Sequence, residues 1–384
     1  MGTRFVVVGS GYAGVLAAVR LAAHAGPGAV TLVDPVLKLV ERVRLHEALV
    51  HGRDVEVPLE ALAERCGIHL VRGRVRDLRA HAVTLEDGRD LPFERCIVAT
   101  GSEIARGTPG SREHAHALEP GTVAGLRDEL SRAQRVAVLG GGLTGVEVAA
   151  EIAETTPGKR VALVTRALVP MQTPAARAHI EGVLRRLGVE LVLGERVEEI
   201  ERGRARTSER SVPFDLAIDT LGFASRAPAF LSGPTDAMGR VLTDTTLAMR
   251  GRPDVFLAGD LAAPEGTLAG EPMIRGCQSA MPMGAHAADA AWASVRGEPV
   301  LPFVFQPNGF CISLGRHEGA IDAYGRVLRR RAAVWVKEGI CRYTIAAIRW
   351  QARGIDYRWR PFVGRRARAL AALPAASLTE ASAS

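Results

Sequence analysis

The sequence predicts an α/β protein with two units of similar construction, each built around a short parallel sheet. Apolar runs at residues 4–8 and 135–139 each precede a glycine-rich turn and then a helical pattern. Each unit closes on a further apolar run that ends in glycine, at 96–101 and 217–222. A repeat on this scale predicts two domains in which strands and helices alternate, and 384 residues leave room for a third segment.

The first glycine-rich turn lies where a dinucleotide would be bound. In Gly9-Ser10-Gly11-Tyr12-Ala13-Gly14, the first glycine permits a tight turn, the second lets the backbone approach a pyrophosphate, and the third allows close packing of helix on strand. Asp34, 20 residues further on, can accept hydrogen bonds from an adenosine ribose. Turn, helix N-terminus and acid together favour a Rossmann-like nucleotide-binding fold over a purely structural glycine turn.

The second turn, Gly140-Gly141-Gly142-Leu143-Thr144-Gly145, has the same context but lacks the acid. Thr165 stands 20 residues after the last glycine and is followed by Arg166. Without a carboxylate, a 2′-phosphate is not repelled, and the arginine could pair with one. The sequence therefore favours NADPH over NADH; the alternative is an arginine that points to solvent and an enzyme that accepts both.

Charge is distributed unevenly along the chain. From residue 305 to the end there are 14 Lys/Arg and 5 Asp/Glu, a net charge of +9, whereas the first 304 residues carry about −2. A basic segment of this kind suits a membrane surface, an acidic partner or nucleic acid. Because no base-reading motif accompanies the charge, we expect no nucleic-acid partner.

Cysteine usage and hydropathy indicate a cytoplasmic protein. The five cysteines are scattered without a CxxC pair, which is typical of reduced thiols. A strand pattern from residue 4 leaves no space for a signal peptide, and there is no apolar run of about 18 residues that could span a bilayer. The histidines show no metal-ligand spacing, so no metal site is expected.

The C-terminal segment is predicted to contain a long helix at 331–350. Its polar stripe consists of Arg331, Glu338, Arg342 and Arg349, with Glu338 and Arg342 at the favourable i,i+4 spacing, and the rest of its circumference is interpreted as apolar. Such a helix must be covered by the body of the protein, by a second subunit or by a membrane surface. A homodimer and peripheral contact with the inner face of the membrane both stay open.

Several of these motifs occur in an order that resembles the FAD/NAD(P) pyridine nucleotide-disulfide reductase superfamily. They are the two glycine turns, Ala99-Thr100-Gly101, Thr220-Leu221-Gly222 and the late Phe256–Asp260 segment, and the resemblance covers about residues 4–300. It implies that the first fold binds FAD, that the NAD(P)H fold is inserted into it, and that Asp260 binds the flavin ribityl chain. Cofactor contacts are also expected from Arg42, Val75, Thr100, Gly101 and Gly222.

The resemblance implies a division into domains. The FAD domain is expected at 1–117 and 245–302 and the NAD(P)H domain at 118–244. A smaller α+β segment is expected at 303–370, and a disordered tail at 371–384.

This chain departs from the disulfide reductases because residues 38–47 and the second unit contain no redox cysteine pair. Hydride must then pass from the nicotinamide to the flavin and on directly to an acceptor. The nearest branch is the type II NADH dehydrogenases and related NAD(P)H:quinone oxidoreductases, in which the counterpart of Gln278 lines the quinone side of the flavin. The alternatives are a flavin-dependent tailoring oxidoreductase or monooxygenase of secondary metabolism, and a slow NAD(P)H-sensing flavoprotein that acts through its oligomeric state or a binding partner.

Two further side chains are candidates for catalysis. Glu147, just inside the second helix, is placed near the nicotinamide, although an acid there also suits the helix dipole. His46 follows the FAD strands closely enough to protonate a reduced acceptor, although a surface position is the simpler interpretation.

Overall fold

Two sheets, a larger mixed one and a smaller parallel one, organise the chain in the computed structural model, and one of the glycine-rich turns follows a strand of each. The structure describes residues 4–225, 227–265, 275–305, 309–323 and 326–358. The tail at 371–384, for which the sequence predicts disorder, lies outside these residues.

The first part of the chain supplies four of the eight strands of the larger sheet and two small antiparallel sheets beside it. Its elements are β1 (Phe5–Val8), α1 (Tyr12–Ala25), β2 (Val30–Asp34), β3 (Lys38–Val40), α2 (Leu45–His51), β4 (Glu56–Pro58), α3 (Glu60–Cys66), β5 (His69–Arg72), β6 (Val75–Leu78), β7 (Ala82–Leu85), β8 (Asp90–Pro92), β9 (Arg95–Val98), β10 (Glu103–Ile104), α4 (Ser111–His114) and β11 (His116–Ala117).

The middle part forms the second sheet with its own helices and meander. Its elements are α5 (Val123–Arg132), β12 (Arg135–Leu139), α6 (Leu143–Thr155), β13 (Arg160–Thr165), α7 (Pro174–Arg186), β14 (Glu190–Leu193), β15 (Val197–Glu201), β16 (Arg204–Thr207), β17 (Ser211–Pro213), β18 (Leu216–Asp219) and β19 (Phe223–Ala224).

The last part returns to the first sheet and then adds a hairpin and a long helix. Its elements are β20 (Val241–Thr243), β21 (Ala248–Met249), β22 (Arg252–Leu257), β23 (Ala262–Pro264), α8 (Cys277–Arg296), β24 (Phe310–Ser313), β25 (Gly319–Ala323), β26 (Arg326–Arg329) and α9 (Arg330–Gln351).

Strand order shows that the second unit is inserted into the first. The larger sheet has the order β23-β20-β21-β22-β9-β1-β2-β5, so it joins strands that precede and follow the second unit in sequence. The smaller sheet has the order β11-β18-β12-β13-β14 and is parallel throughout. This is the predicted α/β architecture, with one Rossmann-like fold inside another and a small α+β segment after them.

The two chain crossings between these sheets are paired with each other. β10, which leaves the first unit, and β19, which leaves the second, form a short antiparallel ribbon in which Glu103 lies opposite Ala224 and Ile104 opposite Phe223. Both connections therefore pass through one point between the sheets.

The chain breaks at Gly73, between two short strands. β5 joins the large sheet, and β6 begins the β6-β7-β8 meander. The amide of Gly73 donates to the carbonyl of Asp34 at 3.2 Å, and a side chain at Gly73 would meet Leu85. The break follows from this close approach, which alternation of residue types does not reveal.

The predicted C-terminal helix is confirmed as α9. Its inner face packs on α1, β24 and β25 through residues such as Ala333, Cys341 and Ile348. Glu338 and Arg342 form the expected ion pair at 2.7 Å. The description of the remaining circumference as apolar was wrong at Lys337, which is buried on the inner face.

Helices α1 and α8 lie in close contact over the large sheet. A Cβ atom at Gly284 of α8 would overlap with the backbone carbonyl of Ala13 on α1. Because close-packed interiors tolerate little added volume, only glycine allows the helices to approach this closely at that point.

We expect Gly284→Ala to lower the free energy of unfolding by about 1–3 kcal/mol, because α8 must move away from α1. Urea denaturation measures this change. Gly339→Ala, on α9 with open space beside it, is the control; it should leave stability unchanged or raise it by up to about 1 kcal/mol. Equal effects of both substitutions would contradict the packing argument.

Candidate active site

The first glycine-rich turn has the geometry of a pyrophosphate cradle. Gly9 adopts φ 107°, and side chains at Gly9 and Gly14 would overlap with the backbone carbonyls of Ala99 and Gly9. Beside Gly11, by contrast, the space is open. A ligand can therefore approach the turn and the free amides at the N-terminus of α1.

The acid that should serve the first nucleotide stands beside this turn. Asp34 ends β2, and its carboxylate accepts the amides of Ser10 at 2.8 Å and Val36 at 2.7 Å. The hydroxyl of Ser10 donates to the carbonyl of Lys38 at 2.9 Å, which fixes the loop after β2. Val75, predicted to contact the cofactor, begins β6 just beyond the same edge of the sheet.

The second turn repeats the arrangement. Gly140 adopts φ 114°, a side chain at Gly145 would overlap with the Gly140 carbonyl, and the space beside Gly142 is open. Leu143 and Thr144 are the first residues of α6, and both are half-buried. Gly222, which follows β18 in the same unit, also has open space beside it.

The end of β13 carries the two residues on which nucleotide preference was predicted to depend. The hydroxyl of Thr165 donates to the carbonyl of Ala167 at 2.9 Å, and its side chain lies against Gly141 of the turn. Arg166 is exposed, and among the described residues no carboxylate lies within ion-pair distance of its guanidinium. Its charge is thus available at the edge where the adenosine ribose would lie.

Asp260 lies at the end of β22, where three segments meet. Its carboxylate accepts the hydroxyl of Ser102 at 2.8 Å and the amide of Gly276 at 3.1 Å, next to the start of α8. Arg42 donates to the carbonyl of Ser102 at 3.0 Å. Residues 100–101, which follow β9, border the same edge of the sheet.

A buried hydroxyl faces this region without a protein partner. Tyr12 is 8% exposed, and its hydroxyl finds no hydrogen bond among the described residues. Burial raises the pKa of Tyr12, and the neighbouring Cys277 and Glu41 add to the effect. Since buried polar groups are nearly always satisfied, a bound group at this place would supply the missing partner. Gln278, the second residue of α8, is half-buried on the same border.

Four side chains from different elements form a buried polar cluster behind the two turns. Glu147 of α6 accepts the amide of Ser313 at 3.1 Å and forms an ion pair with Lys337 of α9. Lys337 also donates to the hydroxyl of Ser313 at 2.8 Å. His46 of α2 is 2% exposed, 3.4 Å from that hydroxyl and 3.7 Å from Glu147. The sequence named His46 and Glu147, and the structure brings them together.

The environment sets the charge states within this cluster. Burial acts to lower the pKa of Lys337, but the carboxylate of Glu147 outweighs it and the net direction is upward. Burial lowers the pKa of His46 well below its usual value, and the cations Lys337 and Arg316 lower it further. His46 is therefore a neutral imidazole at pH 7, so it can pass on a proton only after taking one up at its free ring nitrogen.

A second layer of charges joins this cluster to the surface. Arg44, 1% exposed, pairs with Glu47 at 3.1 Å and with Glu338 of α9 at 2.7 Å. Glu151 of α6 pairs with Arg316 at 2.6 Å. These pairs hold α2, α6 and α9 together around His46.

Sequence reasoning missed Lys337, Ser313 and Ser102. A lysine on the inner face of a predicted amphipathic helix was a usable signal for Lys337, since buried lysines are rare unless they are paired. No local signal identifies Ser313 or Ser102, because their partners are remote in sequence.

Comparison with known proteins identifies the family. The model of the pyridine nucleotide-disulphide oxidoreductases matches residues 3–289. The chain belongs to this family. The predictions of an oxidoreductase, and of a fold of this superfamily, are thereby confirmed.

Curated relatives of this pyridine nucleotide-disulphide oxidoreductase extend over most of its length. It is 27% identical to ferroptosis suppressor protein 1 of Taeniopygia guttata, over 85% of this chain and 90% of that protein. It is 24% identical to the type II NADH:quinone oxidoreductase of Staphylococcus saprophyticus, over 88% and 94%. Its fold is similar to that of NDH2 from Plasmodium falciparum in complex with NADH, with a TM-score of 0.74, 14% identity and coverage of 95% and 100%.

The family name refers to a disulfide, yet all five cysteines of this member are free thiols. Burial raises the pKa of Cys277 to about 12 and of Cys341 to about 11, which keeps both protonated. Within the described ranges, no helix is long and apolar enough to cross a bilayer. Nor do the described acidic, histidine and cysteine side chains form a group of three that could hold a metal ion.

The burial of neutral His46 predicts acid sensitivity. Above pH 6.5 the histidine is neutral in both the folded and the unfolded chain; below it only the unfolded chain takes up the proton, so stability falls as the pH falls. We expect His46→Asn to remove about 1 kcal/mol of the stability difference between pH 6.5 and 5.5. Urea denaturation at both pH values measures it.

His69→Gln, at an exposed histidine on β5, is the control for this experiment. It should retain the wild-type pH dependence. A His46 variant with the same pH dependence as wild type would contradict a neutral buried imidazole.

Proposed function

We propose that this chain is an FAD-dependent oxidoreductase that takes hydride from NAD(P)H and passes two electrons to a quinone. The observation that carries the proposal is the pair of glycine turns, each with one open glycine facing a free helix N-terminus. FAD, when bound, supplies the ability to accept a hydride and to release the electron pair to a second substrate. The relatives named as quinone oxidoreductases support the choice of acceptor.

The residues around the first turn suit FAD. Gly11 leaves room for its pyrophosphate, and Asp34 lies beside the turn to receive the adenosine ribose. Asp260 and Ser102 present oxygen atoms at the end of β22 and β9 for the ribityl chain. Arg42, linked to Ser102, adds positive charge near the phosphates. Residues 75, 100 and 101 line the same edge.

The second turn holds the nicotinamide nucleotide in the same manner. Gly142 leaves room for the pyrophosphate at the N-terminus of α6, and Gly222 borders the crevice between the two units. In this proposal both nucleotides bind at the carboxyl ends of the strands of their sheets and lie close enough for hydride to cross directly, so that no redox-active sulfur is required.

The buried cluster supplies a proton. Reduction of a quinone by two electrons needs two protons, of which the hydride brings one. The Lys337–Glu147 pair holds a proton between Nζ and Oε1, and neutral His46 stands within reach to exchange it with the acceptor. Gln278, at the start of α8, orients the acceptor through its amide.

The proposal is tested by anaerobic reduction of the purified protein, followed by an acceptor screen. We expect a yellow protein that NADPH bleaches and that a soluble quinone reoxidises at more than about one turnover per second. Glu147→Gln should retain the flavin and lower kcat about 10²-fold, because the proton relay is interrupted.

Three outcomes would contradict this reading. A colourless protein that takes up no flavin removes the function altogether. Fast reoxidation by oxygen, accompanied by the absorbance of a C4a-hydroperoxide, would indicate a monooxygenase. Slow turnover with every quinone, together with dimerisation on adding NAD(P)H, would assign a sensor.

NADPH is proposed as the preferred donor. Thr165 stands where a carboxylate would repel a 2′-phosphate, and Arg166 is exposed beside it without an acidic partner among the described residues. A free guanidinium at this edge favours a phosphate ester over a bare ribose.

We expect Arg166→Ala to lower kcat/KM for NADPH about 10–100-fold and to leave kcat/KM for NADH within twofold, because only the 2′-phosphate contact is lost. Steady-state kinetics with both nucleotides measure the ratio. Arg196→Ala, at an exposed arginine on the nearby meander, is the control. Equal rates with both nucleotides in the wild type would contradict the preference.

Peripheral contact with a membrane through α9 is the second part of the proposal. The outer face of the helix exposes Trp335 (73%), Val336 (45%) and Ile340 (41%) in a chain segment of high positive charge. An exposed tryptophan among aliphatic and basic side chains is typical of a helix that lies at a lipid surface. A dimer through the same face is the competing outcome.

We expect Trp335→Ser/Ile340→Ser to weaken binding to anionic vesicles about tenfold, because apolar area leaves the interface. Co-sedimentation measures binding, and light scattering measures oligomeric state. Met171→Ser/Met238→Ser, which removes two other exposed apolar side chains, should bind as wild type does. A concentration-dependent dimer that only the Trp335 variant abolishes would assign the face to a second copy.

A further inference from the structure

A cavity of about 680 Å³ lies on the far side of α9 from the buried cluster. Its walls come from the end of α7, the turn between β24 and β25, and the start of α9. Its lining side chains are His179, Arg186, His317, Glu318, Arg329, Arg330 and Arg331. None of them belongs to the two glycine turns or to the proposed proton relay.

The cavity concentrates positive charge with little to offset it. Four guanidinium groups share it with one carboxylate, that of Glu318. Arg186 lies 3.8 Å from this carboxylate, whereas Arg329 and Arg330 have no ion-pair partner among the described residues. The guanidinium of Arg331 contacts the ring of His317 at 3.4 Å. Like charges gathered in this way repel one another unless an anion enters.

Two further observations fit an anion in this place. Arg330 adopts φ 63°, a left-handed conformation that is strained for a residue with a side chain and that often marks a functional site. Burial lowers the pKa of His179, and the nearby Arg329 and Arg186 lower it further, as expected in a region of positive potential.

The chemistry of the walls favours phosphate. The planar fork of arginine donates two parallel hydrogen bonds to a phosphate group, and several forks can surround one group from different sides. Arginines from α7 and from the start of α9 face one space here, which is the arrangement that a tetrahedral anion requires.

The surroundings of the cavity indicate where the phosphate comes from. Trp335 lies one helical turn after Arg331, and Leu328 (42% exposed) directly precedes Arg329. An exposed apolar side chain of β26 and one of α9 therefore lie next to the rim of the cavity. A phospholipid carries its phosphate next to apolar acyl chains, which the exposed tryptophan can contact. A free phosphate has no apolar part to contact it.

We propose that this cavity binds a phosphate group, and that the phosphate is the headgroup of an acidic phospholipid on which α9 lies. The inference rests on the proposed membrane contact and assigns its headgroup site. If the site exists, the full-length protein loaded with FAD binds acidic vesicles more tightly than neutral ones, and this difference depends on Arg329 and Arg330.

The test compares vesicles of phosphatidylcholine alone with vesicles that contain phosphatidylglycerol. We expect the wild type to bind the acidic vesicles about tenfold more tightly, and Arg329→Gln/Arg330→Gln to lose this preference. Arg196→Gln/Arg202→Gln removes the same charge from exposed positions on the β15–β16 hairpin and should keep it. Flavin content, urea denaturation and turnover with a soluble quinone should be unchanged in both variants.

The outcomes separate the headgroup site from the membrane contact. If both double variants lose the preference equally, net charge explains it and the site is overturned. If Trp335→Ser/Ile340→Ser weakens binding but Arg329→Gln/Arg330→Gln does not, the membrane contact stands and the site fails. If the wild type binds no vesicles yet binds inorganic phosphate in calorimetry through Arg329 and Arg330, the lipid source is overturned and a soluble phosphate takes its place.

Discussion

The buried ion pair between Glu147 and Lys337 is the interaction on which the arrangement of the three parts of this protein depends. Removing a carboxylate and an ammonium from water costs several kcal/mol for each ion, and only close pairing with further hydrogen bonds offsets that cost. Ser313 supplies those bonds to both partners. Since removal of one partner from such a pair typically costs about 3–5 kcal/mol, α9 cannot leave the body without exposing or orphaning a charge.

This constraint fixes the register of α9 about its own axis. With Lys337 directed inward, Trp335, two residues earlier, lies on the opposite side of the helix, and the arginines at the start of the helix lie beside α7. The same helix thus contributes a proton-carrying amine to the interior and an apolar, basic face to the exterior. The proposed proton relay and the proposed membrane contact therefore lie on one helix about 33 Å long.

Local sequence patterns predicted those parts of the fold that depend on residues close to one another in the sequence. Both glycine turns, their helices and α9 follow from spacing within single segments, whereas the insertion of one unit in the other was implied by the resemblance to the superfamily. Lys337 and Ser313 could not be found in the same way, because their function arises only when α6, β24 and α9 meet. The break at Gly73 was likewise hidden, since it depends on Leu85 twelve residues later. Nucleotide preference could be argued from Thr165 and Arg166 alone, because both face one edge of one strand.

The short ribbon formed by β10 and β19 has a mechanical consequence. Because the two linkers pair at Glu103–Ala224 and Ile104–Phe223, the inserted unit is joined to the first unit by a two-stranded connection in place of two separate strands. The ion pairs from α9 to α2 and to α6 add a second connection between the same two units. Both connections restrict movement of the inserted unit relative to the first, so the distance between the two nucleotide sites depends on them as well as on the rigidity of each unit.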